Sequence, residues 1–93
     1  MNAEIYTKVY VQVNVQFREN GIMLPREIIG EDGVRYEIDR VTDIRQAAAM
    51  EAGGQGDRYM IMVHGMQRYL FFERCANQTG NNIGRWFVEK IAG

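Results

Sequence analysis

A single cysteine, Cys75, leaves this chain of 93 residues unable to close a disulfide within itself. One histidine beside one cysteine makes no Cys/His metal set, and no cofactor is expected. No apolar run approaches the roughly twenty residues a membrane-spanning helix needs, and no secretory leader is recognisable. The expected compartment is therefore the cytoplasm, with no membrane partner. Charge of one sign is missing too: eleven basic and twelve acidic residues give a formal net charge of −1. That removes the electrostatic footprint of a non-specific nucleic-acid binder and leaves room only for a local basic patch. Lysine is scarce, two residues against nine arginines. Arginine favours bidentate and stacked contacts, which suits pairing with carboxylates across strands. Repeats and linkers are absent as well, so residues 1–93 read as one small domain.

What is present is strand-forming sequence. From Ile5 to Phe17 the odd positions are Ile5, Thr7, Val9, Val11, Val13, Val15 and Phe17, and the even ones are largely polar. Period-two alternation over so long a stretch predicts a strand that bends or takes two successive partners. Asn20-Gly21 and Asp32-Gly33 read as type I′ hairpin turns, and Pro25 lies in the strand between them. Proline cannot donate to a ladder, so it belongs at an edge or a bulge. A third strand follows through Val34, Tyr36 and Ile38. The segment 41–52 admits two readings. Asp43, with Gln46 three residues on and the alanines behind it, resembles a capped helix start. The preferred alternative continues strand three through Ile44 and makes 45–57 a mobile loop, with at most one helical turn near 43–52.

The stretch from Arg58 to Cys75 reads as a hairpin turning at His64-Gly65 or Gly65-Met66. Either choice puts Tyr59, Ile61, Val63, Leu70 and Phe72 on one face and Met60, Met62, Tyr69 and Phe71 on the other. A strand with one wet face alternates apolar and polar residues; this hairpin does not, so both faces call for cover. The second face is either a further core layer, covered by 41–52 or by the last strand, or a surface for another protein or a second copy. Residues 76–84 read as a polar, mobile connection, and 85–91, carrying Trp86 and Phe87, as a docked terminal strand. The sum is an all-β fold of about six strands, a small antiparallel barrel or two-layer sandwich of SH3-like size.

Catalysis requires convergent groups, and the sequence offers none. His64 reads as a turn-flanking surface residue and Cys75 as an inert thiol. Gly53-Gly54-Gln55-Gly56 lacks the Lys-Ser/Thr and following helix of a phosphate cradle. Arg45, Arg58 and Arg68 bracket the glycine-rich segment and the hairpin tip, a candidate basic rim for phosphate or a partner's acidic residues. Together with Met60, Met62, Tyr69 and Phe71 they form the candidate partner-binding set.

Three segments, Gly33-Val34-Arg35-Tyr36-Glu37-Ile38 with Val41-Thr42-Asp43, Arg58-Tyr59 with Val63, and Arg85-Trp86-Phe87-Val88-Glu89-Lys90, resemble a pattern found in uncharacterised small bacterial β domains. Some of those domains are fused to, or encoded near, Y-family translesion DNA polymerases. The likeness spans residues 24–90 and implies an accessory role near DNA repair, with no catalytic residue carried over. The expectation is a non-enzymatic protein-interaction module, self-associating or not; the alternative is a nucleic-acid-binding accessory module.

Overall fold

The computed structural model describes residues 6–48 and 55–91, with side chains for all of these except 47, 48, 55, 76–79 and 91. They form seven antiparallel strands: β1 (Tyr6–Phe17), β2 (Met23–Ile29), β3 (Arg35–Glu37), β4 (Arg40–Ala48), β5 (Gln55–Val63), β6 (Met66–Thr79) and β7 (Asn82–Ile91). One sheet holds them in the order β3-β2-β1-β7-β6-β5-β4, curled into a half-barrel. The all-β expectation is met, with one strand more than anticipated. The expected third strand breaks at Ile38-Asp39 into β3 and β4. There the Ile38 amide donates to the Arg26 carbonyl at 2.9 Å and the Asp39 amide to Met62 at 2.8 Å. Two consecutive residues thus join opposite ends of the curl. Residues 43–48 and 55–57 are strand, so a helix starting at Asp43 and a mobile loop starting at Arg45 are both ruled out; 49–54 lie outside the described residues.

β1 takes two partners in succession. Tyr6 to Val11 pairs with β7 and Gln12 to Phe17 with β2, with the register shift falling at Asn14/Val15 opposite Pro25. Proline's missing donor therefore sits at a bulge. Residues 76–84 correct a second expectation. β6 runs on to Thr79, Gly80 turns with φ 59°, and β7 begins at Asn82, so the polar run is a hairpin end instead of a mobile connection.

The turns differ from expectation in a consistent way. At 18–22 and 30–34 the loops have three residues. Gly21 and Gly33 alone take positive φ (87° and 81°), while Asn20 and Asp32 accept the amides of Ile22 and Val34 through their side chains. Asn and Asp can close a turn by this side-chain bond without entering left-handed space themselves. The β5–β6 hairpin has a two-residue turn, His64-Gly65, where both residues have positive φ (51° and 73°).

The concave side carries the main core: Ile38, Tyr59, Ile61, Leu70, Phe72 and Trp86, with Val11, Val13 and Val15 of β1 against it. Trp86 packs between Tyr59 and Phe72, ring centroids 5.0 and 4.9 Å away. The Tyr59 hydroxyl crosses the curl to donate to the Met23 carbonyl at 3.3 Å.

Candidate functional site

Register decides which of the singled-out residues meet. Met60 faces Tyr69, Arg58 faces Phe71 and Met62 faces Gln67 across β5–β6; Asp43 faces Met60 and Arg45 faces Arg58 across β4–β5. Arg45, Arg58, Met60, Met62, Tyr69 and Phe71 therefore share the convex face. Arg68 pairs with Ile61, a concave core residue, and so points to the other side of the sheet. Strand alternation thus separates Arg68 from Arg45 and Arg58 by face, although Arg58 and Arg68 border the same open cleft.

Exposure divides the convex set further. Tyr69 is 49% exposed, Met60 and Met62 are half-buried, and Phe71 is buried at 2%. Phe71 lies parallel on Phe87, centroids 5.0 Å apart, with Tyr10 edge-on to Phe87 and the Lys8 ammonium 4.8 Å above it. The Phe71 end of this hairpin face is thus a second core layer, and its Tyr69 end meets solvent. Polar contacts order the exposed end. The Arg58 guanidinium sits 4.8 Å over the Tyr69 ring, Gln67 donates to the Met60 sulfur at 3.3 Å, and Arg45 pairs with Asp43 at 2.7 Å.

Beside this surface is a cluster the sequence did not reveal. Glu73 accepts from Lys8 at 2.7 Å, and from Tyr10 and Arg85 at 3.1 Å, while Arg85 also stacks 3.9 Å over Tyr10. The Lys8 hydrogen bond holds the Glu73 carboxyl below its ordinary value, with Tyr10 and Arg85 adding to the effect against partial desolvation. Tyr10 and Arg85, bonded within it, lie 75 positions apart, so only knowledge of the β1–β7–β6 order would have brought the cluster together.

The catalytic candidates stay apart. His64 meets Tyr36 edge-on, centroids 6.3 Å apart, on the rim of an open cleft of about 930 Å³ that also borders Arg58 and Arg68. Cys75 donates its thiol to Asn82 at 3.3 Å. Asp57 is held by Arg74 through two bonds of 3.1 and 2.6 Å. Burial raises the Tyr59 phenol above its ordinary value, and the Asp57 carboxylate raises it further. Among the described residues no group of three or more His, Cys, Asp or Glu is placed to hold a metal ion, and no helix is long and apolar enough to cross a membrane.

Comparison with known proteins finds no match among family models, curated proteins or solved structures. What can be said of function rests on the fold class, a small curled antiparallel sheet, and on its surfaces.

Proposed function

We propose that this chain is a non-enzymatic protein-interaction module of the bacterial cytoplasm that binds through the convex face of β5 and β6. The observation that carries the reading is the apolar second face of the hairpin, on which a half-exposed Tyr69 stands opposite Met60 and beneath Arg58. The inward-facing Tyr59, Ile61, Leu70 and Phe72 of this hairpin belong to the concave core, whereas Met60 and Met62 lie half-buried on the opposite face. The test is affinity capture with two baits, the wild-type chain and a Met60→Glu/Tyr69→Ala variant matched for thermal stability. A partner held by the first and lost by the second is expected. Equal capture by both baits would overturn the assignment of this face.

A second reading, a nucleic-acid accessory module near DNA repair, draws support from two tyrosines that carry an arginine, Tyr10 under Arg85 and Tyr69 under Arg58. Such pairs can stack a base. Against it, Arg35, Arg45, Arg74 and Arg85 are each paired to a carboxylate, which lowers the positive potential available to phosphates. This reading requires binding to single-stranded DNA or RNA that weakens steeply with salt; absence of such binding at low salt removes it.

A further inference from the structure

The two ends of the sheet differ in a way that matters. β3 is three residues long, too short to recruit another strand. β4 is nine residues long and, among the described residues, pairs along its length with β5 alone. An edge strand offers every second amide and carbonyl to whatever extended chain can lie beside it. Natural edges are commonly blunted by proline, by a lysine or by a bulge; β4 has neither proline nor lysine, and its bulge lies at one end, between Val41 and Asp43.

We propose that β4 pairs with β4 of a second copy, antiparallel about a two-fold axis at Ile44, joining two half-barrels into one continuous sheet. The occupant follows from charge. Asp43 and Arg45 point to the convex face on either side of Ile44, which is 43% exposed on the concave side. With the axis at Ile44, each Asp43 stands opposite the partner copy's Arg45, and the two isoleucines meet. Moving the axis to Asp43 sets two carboxylates against each other, and moving it to Arg45 sets two guanidiniums together. Like charges directly opposite are destabilising and opposite charges favourable, so a single register is selected. An unrelated strand would have to supply this charge order by chance, whereas a second copy brings it by symmetry. The pairing uses the sheet edge and leaves Met60 and Tyr69 accessible. It therefore goes beyond the convex-face reading and stands or falls separately from it.

The experiment is light scattering of the full chain across a dilution series up to about 100 μM, where a micromolar association is readable. Twice the 10.8 kDa chain mass is expected at the upper end. Ile44→Lys and Asp43→Arg should each lower the association at least tenfold, with circular dichroism unchanged, and Asp43→Arg combined with Arg45→Asp should restore it. In a Cys75→Ser background, Ile44→Cys should form a covalent dimer on mild oxidation. Residues opposite themselves in such a ladder have Cα atoms roughly 4.5–5.5 Å apart, within disulfide reach. A monomer at every concentration, or a dimer indifferent to Ile44→Lys and to the charge exchange, would overturn the proposal. Loss of association in the Met60→Glu/Tyr69→Ala variant, with Ile44→Lys silent, would do the same and would assign self-association to the convex face.

Discussion

Two glycines and one carboxylate show how single positions hold this sheet. Gly56 on β5 and Gly84 on β7 close on β6 from both sides at Phe72 and Glu73. A Cβ at Gly84 would lie 2.5 Å from the Glu73 carbonyl oxygen and from the Phe72 ring, and one at Gly56 2.5 Å from the Phe72 carbonyl oxygen. The obstacle is partly backbone, which cannot swing away, so Gly84→Ala should cost about 1–3 kcal/mol in denaturant unfolding. Glu73 acts electrostatically. Its folded pKa lies below the ordinary 4.5, so its pairing with Lys8, Tyr10 and Arg85 stabilises the fold above that value and is lost as pH falls through the lowered one. Glu73→Gln should cost about 1 kcal/mol near neutrality, as expected for a partly exposed ion pair. It should also flatten the decline of melting temperature with pH below about 4.5. Parallel pH profiles for the two proteins would show that the cluster does not couple protonation to folding.

At the scale of elements, hairpins were legible in the sequence and partners were not. The alternation in β1 and the glycines at 21, 33 and 65 marked strands and turns, because pleat and positive φ are local demands. The break at Ile38-Asp39 and the length of β6 were hidden. Val34 to Ile44 alternates well enough to pass for one strand, and the run from 76 to 84 is polar around a hairpin turn whose residues 80–83 are exposed. Gly56 and Gly84 read as loop residues for the same reason: close approach between backbones leaves no mark except the missing side chain. The apolar pattern marks the convex face, but nearness to the tip, which groups Arg68 with Arg45 and Arg58, says nothing of the face, and register puts Arg68 on the concave side. The β5–β6 turn offers a test at this scale. His64 occupies left-handed space at φ 51°, which asparagine tolerates better. His64→Asn should therefore stabilise the chain by up to about 1 kcal/mol in thermal melts. A loss would show that the edge-on contact with Tyr36 outweighs the turn.

For the molecule as a whole, the curl is fastened at few points. Ile38, 2% exposed, sits where the chain passes from one end of the sheet to the other, and the Tyr59 hydroxyl spans to Met23 nearby. Ile38→Ala removes core volume at that junction and should cost about 2–4 kcal/mol. Trp86 is the only tryptophan and lies in the same core, so its fluorescence during urea unfolding reads the loss directly. An effect below about 1 kcal/mol, the scale of a surface substitution, would mean the corner is not a fastening point.

The division of β1 between two partners also sets a schedule. Its second half finds β2 a few residues later, whereas its first half must wait for β7, with Tyr10 and Arg85 separated by 75 positions. At about 5–20 residues per second, a ribosome leaves Tyr6 to Val11 without that neighbour for several seconds after they are made. During that interval the β1–β2–β3 meander can form, but the aromatic pair of Phe71 and Phe87 and the Glu73 cluster cannot. This domain is completed from its last strand inwards, and its opening strand is a docking site for its own end.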